Sequence, residues 1–170
     1  MADLLDALKA RIQQKFSIDK LLFYASIDVP QHVTKKNNRP IFMNQGTGRR
    51  FLGKDKRLVS AESHLITQLK MAKIAQGLKE PIKERLWVIY HFIFQREAYY
   101  TLKNTISKRL PDLSNLLELP SDTLTKALII DDDTQIDSFD LSRRLVGDKN
   151  KLEIFILKYE PWTRIEGTPS

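Results

Sequence analysis

Asp112 and the run Asp131-Asp132-Asp133 are the residues of this chain whose types and spacing suit chemistry. Carboxylates that arrive from two segments can share one divalent cation. A hard cation held by oxygen activates water and neutralises the charge that develops on a phosphate under attack. Asp137 and Asp140 prolong the acidic stretch. Alone, a run of three aspartates reads better as a solvated turn after a helix. Asp112 shifts the balance, because apolar segments hold both acids on one domain with a helix between them. Asp112 and Asp133 are the strongest ligand candidates. Asp132 comes next, as a ligand or an orienting neighbour, and Asp131 reads as a surface charge. Asp112 follows Pro111, so it also suits a helix N-cap. A carboxylate has two oxygens and can serve in both ways.

The rest of the chain is basic. With 28 Lys and Arg against 21 Asp and Glu, the formal net charge is +7, which favours a polyanionic partner. Eight cations fall between positions 34 and 57, namely Lys35, Lys36, Arg39, Arg49, Arg50, Lys54, Lys56 and Arg57, and only Asp55 opposes them. Gly46, Gly48, Gly53, Asn37 and Asn38 are interleaved, which lets backbone approach a phosphate. Lys103, Lys108 and Arg109 directly precede Asp112. Basic loops are commonly just solvated, but two clusters flanking a small acidic focus favour nucleic acid, with affinity that falls steeply with salt. There is no cysteine, so disulfides, zinc–thiolate sites and thiol catalysis are excluded. His32, His64 and His91 are scattered and form no ligand pattern.

These residues need elements to position them. Leu5, Leu8, Ile12 and Phe16 recur at helical spacing, which predicts an amphipathic helix over 1–19. A strand is expected over 21–29, closed by Pro30. Residues 31–57 lack a clean period and read as a long loop or loose hairpin. Ser60 is placed to cap a helix running to about Gly77. The run 86–94 is apolar on both faces, so it should be a central strand. Trp87, Tyr90, Phe92 and Phe94 are assigned to the core, with His91 as a hydrogen-bonded core histidine. Residues 95–111 are polar and basic, and Tyr99 and Tyr100 there are candidates for stacking on an opened base. A helix is expected over 112–128, kinked at Pro120 or split with a second helix from Ser121. On it Asn115 suits a ligand or backbone bond, Asp122 a structural anchor, and Lys126 a phosphate contact or a plain surface lysine. Strands follow over 136–145 and 152–159, with a turn at Asp148-Lys149-Asn150.

A chain of 170 residues is one ordinary domain. The element order points to an α+β fold, a small mixed or antiparallel sheet with helices packed on it. The expected layout is a helical extension over 1–19, a domain over 20–160 and a flexible tail over 161–170. No apolar run approaches the roughly 20 residues of a membrane span, and the acidic start is unlike a secretory signal. Absent cysteine fits a reducing cytoplasm.

At its acidic residues the sequence resembles the RusA family of Holliday junction resolvases. The family pattern is Asp-x-Asp-Asn-Leu-x-Lys, a helix, then Asp-Asp-x-Gln-Val/Ile. Here the stretches are Asp112-Leu113-Ser114-Asn115-Leu116-Leu117-Glu118 and Asp132-Asp133-Thr134-Gln135-Ile136. The spacing between the first Asp and the Asp-Asp pair needs no gap. Asn37-Asn38-Arg39 and Val59-Ser60-Ala61-Glu62 also look like family segments, so the likeness runs from about Phe23 to Tyr159. It implies a homodimer that binds four-way DNA junctions and nicks two symmetric strands with Mg2+ (Mn2+ as an alternative). It also implies a role in recombination and repair and a frequent phage or prophage origin. Two positions depart: the second Asp is Ser114 and the Lys is Glu118. Positions 114 and 118 are one helical turn apart, so Glu118 is a candidate to supply the carboxylate that Ser114 lacks. The rival expectation is a DNA-binding protein that has lost cleavage.

Overall fold

A strand with alternating burial at the edge and strands buried on both faces at the centre build the sheet. The computed structural model describes residues 20–34, 41–52 and 55–159. The expected helix over 1–19, the tail over 161–170, and Lys35, Lys36, Asn37, Asn38, Arg39 and Lys54 lie outside the described residues. Strand β1 (Leu21–Asp28) turns Phe23, Ala25 and Ile27 inward. A short antiparallel hairpin, β2 (Ile41–Met43) and β3 (Arg50–Leu52), occupies part of the expected loop. Helix α1 (Lys56–Ala75) leads to β4 (Leu86–Gln95) and a single turn, α2 (Arg96–Tyr99). Helix α3 (Leu113–Lys126) and a 3-10 turn (Asp133–Gln135) precede β5 (Ile136–Ser138), β6 (Arg143–Gly147) and β7 (Lys151–Lys158).

The fold is α+β with a mixed five-stranded sheet. β1 pairs antiparallel with β7, and β7 antiparallel with β4. β5 and β6 both pair parallel with β4, one near its start and one near its end. A parallel neighbour demands a crossover connection, and the chain from β4 to β5 supplies it with α3. β4 is central, as its apolar run requires. Its Leu86, Val88, Tyr90, Phe92 and Phe94 join Leu152, Ile154 and Ile156 of β7 on the face covered by α1 and α3. Those helices contribute Leu58, Leu65 and Leu69, and Leu116, Leu119 and Leu124. Each such leucine stabilises by about 1.5–3 kcal/mol when fully buried. Leu21, Tyr24, Trp87, Ile89, Phe155 and Leu157 form a smaller cluster on the other face. His91 lies there, with Nδ1 3.5 Å from the buried Glu153 carboxylate and its ring edge-on to Phe155.

Three expectations are corrected. α1 starts at Lys56 because Asp55, not Ser60, caps it, accepting from the Arg57 N–H at 2.8 Å. It ends where expected, with Gly77 at φ +68°. Of the two expectations at Pro120 the split is overturned, because α3 is one helix through the proline. Ser121 Oγ donates to the Leu117 carbonyl at 2.8 Å and Thr123 Oγ1 to the Pro120 carbonyl at 2.7 Å, and the proline is buried with Leu116 and Leu119. That burial and those bonds offset the roughly 3 kcal/mol an interior proline costs. The expected strand over 136–145 is two strands. Leu141 takes φ +69°, and in the gap the Ser142 hydroxyl accepts from the Tyr90 N–H at 3.0 Å.

Candidate nucleic-acid and acidic site

The first turn of α3 opens into a polar cleft of about 490 Å3, within the size range of ligand-binding clefts. Arg57 at the start of α1 lines it, with Lys108, Arg109, Pro111, Asp112 and Asn115. Two stretches far apart in sequence thus bring three cations and one acid to the same cleft lining, leaving it with net positive charge for an anionic guest. Asp112 occupies the N-cap position of α3, and its backbone carbonyl accepts from the N–H groups of Asn115 and Leu116 at 3.1 and 3.2 Å. Its side chain makes no capping bond and is exposed. The carboxylate is therefore not spent on the cap, and Asp112 is among the residues that line the cleft.

His32 forms part of the cleft wall. Its Nε2 donates to the Ile93 carbonyl at 2.7 Å, and its ring packs on Phe92 and Phe94. Burial lowers its pKa below the ordinary histidine value, with the bond to Ile93 opposing in part. Arg144 of β6 donates to the Pro111 carbonyl at 3.3 Å, which fixes the backbone one residue before Asp112.

The second acidic element is the 3-10 turn, which packs against α3. Asp132 caps it: its carboxylate accepts from the Thr134 N–H at 2.8 Å, and these bonds to Thr134 hold its pKa below the usual carboxylate range. Gln135 completes a capping box. Its Oε1 accepts from the N–H groups of Asp131 and Asp132 at 2.9 Å each, and its Nε2 donates to the carbonyls of Ile82 and Glu84 at 3.0 Å. One amide side chain thus clamps the acidic turn to the segment before β4. Asp133, first in the turn, is exposed. Asp137 is held by the Arg85 guanidinium, which lowers its pKa.

The remaining sequence candidates separate. Arg49 and Arg50 are exposed on the β2–β3 hairpin, and Lys56 is exposed on the first turn of α1. Lys126 is paired with Glu62. Ser114 is exposed and Glu118 half-buried on α3. Tyr99 packs edge-on to Phe94 and Tyr100, and the Arg96 guanidinium lies 5.4 Å over the Tyr100 ring, so these rings brace their own segment. Among the described residues, no three His, Asp or Glu side chains stand together as a group able to hold a metal ion.

Sequence reasoning missed His32, Arg144 and the structural part of Gln135. Gln135 had a signal: Asp at N-cap and Gln three residues on is a capping-box spacing. Arg144 and His32 had none, since their bonds go to backbone carbonyls distant in sequence.

Two comparisons bear on this site. The family model described as endodeoxyribonuclease RusA matches residues 31–157, a span that includes both acidic elements and both basic stretches. No curated protein matches the chain.

Proposed function

This chain belongs to the RusA endodeoxyribonuclease family, and from that premise we propose that it is a structure-selective endodeoxyribonuclease. It binds four-way junctions and hydrolyses phosphodiester bonds in recombination and repair. The observation that carries this reading is the cleft that Arg57, Lys108 and Arg109 line together with Asp112. The cations seat a DNA phosphate, and seating it there puts an acid beside the bond to be cut. Asp112 and Asp133 are the acids that act on substrate. Asp132 holds the shape of the turn that presents Asp133.

The donor set fits a hard divalent cation in part. Asp112 and Asp133 offer exposed carboxylate oxygen, and Mg2+ is commonly bound by one or two carboxylates plus substrate phosphate. The described residues do not preassemble a three-carboxylate centre, so DNA phosphate has to complete the shell. Mg2+, or Mn2+ in its place, would supply an activated water and charge neutralisation. The chain's own residues bind the phosphate, orient it and present the acids to it. The protein acts in the cytoplasm as a homodimer, since two symmetric nicks need two sites. Among the described residues no helix is long and apolar enough to cross a membrane.

A second reading, junction binding without cleavage, is favoured by Ser114, which stands where the family pattern has its second Asp. Incubating wild type and Glu118→Ala with a synthetic four-way junction and with linear duplex, with and without Mg2+, separates the two. Mg2+-dependent nicking of the junction by wild type supports the nuclease. Tight binding with no nicking, and no rise in melting temperature with Mg2+ or Mn2+, supports the second reading. Equal nicking by Glu118→Ala removes Glu118 from the site.

A further inference from the structure

Between α2 and α3 the chain makes an excursion that neither the core nor the cleft requires. Tyr100 and Ile106 pair in an antiparallel bridge. The Thr101 N–H donates to the Thr105 carbonyl at 2.8 Å, the Asn104 N–H to the Thr101 carbonyl at 2.9 Å, and the two threonine hydroxyls lie 2.8 Å apart. Asn104 takes φ +55°, the left-handed geometry a tight reversal needs and asparagine tolerates. At the base, the Ser107 N–H donates to the Tyr99 carbonyl at 2.8 Å, and the rings of Tyr99 and Tyr100 buttress it. The result is a short, internally bonded finger.

At its tip stands Leu102, fully exposed, with Ile106 59% exposed beside it. A single exposed leucine on a surface needs no explanation. This one is held in an ordered reversal, within a basic stretch of chain. Residues 101–111 contain Lys103, Lys108 and Arg109 and no acid. The same stretch runs on to form the cleft wall at Lys108, Arg109 and Pro111, so the finger and the cleft are joined by a few residues of chain. Apolar side chains projected from a cationic surface insert between base steps and unstack them. The cost of opening a stack is lowest where pairing or stacking is already interrupted, as it is at a branch point.

We propose that residues 100–106 are a wedge, with Leu102 entering the base stack at the branch point of the DNA while Lys103, Lys108 and Arg109 hold the adjoining phosphates. This rests on the DNA-junction reading above and adds to it a means of telling branched from linear DNA. Because the finger carries its own bonds and Leu102 touches nothing in the core, the substitution leaves the fold intact.

The test uses the full-length protein and a four-way junction carrying 2-aminopurine at the branch point, with binding followed by anisotropy on the same sample. Wild type is expected to bind and to raise 2-aminopurine fluorescence. Leu102→Ser abolishes the rise and weakens junction binding about fivefold or more, the size of one base-stacking interaction, with binding to linear duplex unchanged. Leu102→Phe keeps the rise. If wild type and Leu102→Ser raise the signal equally, the wedge is wrong while the junction reading stands, and a protein partner for the tip gives that same outcome. If wild type does not bind the junction, the junction reading fails and takes the wedge with it.

Discussion

Asp112 and Asp132 sit at the same kind of position, the N-cap of a helical turn, and the protein uses them in opposite ways. At Asp132 the carboxylate satisfies the turn, accepting from Thr134, while Gln135 ties the turn to Ile82 and Glu84. At Asp112 the backbone carbonyl accepts from the Asn115 N–H, as that of Asp132 does from Gln135, but the side chain makes no capping bond and the residue lines the basic cleft. The two turns share the backbone bond, so the difference lies in whether the carboxylate itself caps. The longest acidic run in the chain contains the acid most occupied with structure. The isolated aspartate after a proline is exposed and makes no capping bond.

The comparison can be broken at either end. The largest effect is expected at the cleft. Replacing Arg57, Lys108 and Arg109 together with alanine should cut affinity for junction DNA and flatten its salt dependence. The slope of log K against log salt should fall by about 0.9 for each phosphate no longer neutralised. Anisotropy titrations over a salt series measure this. At the acidic turn, Gln135→Ala should cost about 0.5–1.5 kcal/mol, because the peptide groups of Ile82, Glu84, Asp131 and Asp132 exchange a shared partner for water. Urea unfolding reads that loss. DNA affinity at low salt should stay near wild type, since no cation of the cleft is touched.

A smaller effect is expected from His32, the neutral wall of the cleft. Its folded pKa lies below its unfolded value of about 6.5. The unfolded chain therefore binds the proton first, so the stability from neutral burial is complete above about pH 6.5 and is lost as pH falls toward the folded pKa. Wild type should lose stability between about pH 7.5 and 5.5 in denaturant titrations, and His32→Phe should lose less over the same window. A parallel loss in both proteins would assign the pH dependence elsewhere.

Much of the fold was legible because periodicity is local. The run over 86–94 with both faces apolar marked the central strand, and the helical spacing after Asp112 marked α3. What was not legible depended on partners distant in sequence. Pro120 argues for a break unless it is known that its ring is buried with Leu116 and Leu119 and that Ser121 and Thr123 supply hydroxyls. The division of 136–145 into two strands depends on Ser142 serving the backbone of β4. For the site, residue types and spacing brought out Asp112, Asp132, Asp133 and the basic stretches. They did not reveal that Arg57, far from Asp112 in sequence, shares a cleft with it, nor that Lys126 is taken by Glu62.

The most direct test of the division between the two aspartates sets Asp112→Asn beside Asp132→Ala, with Mg2+-dependent nicking of a four-way junction and the melting temperature measured for each. Asp112→Asn should lose nicking by about two orders of magnitude or more, the scale of removing one charge-stabilising group from a reaction site, with its melting temperature unchanged. Asp132→Ala loses the cap bond to Thr134 and should melt a few degrees lower and still nick. A destabilised Asp112→Asn that nicks, or an Asp132→Ala that melts like wild type and does not nick, would contradict the account.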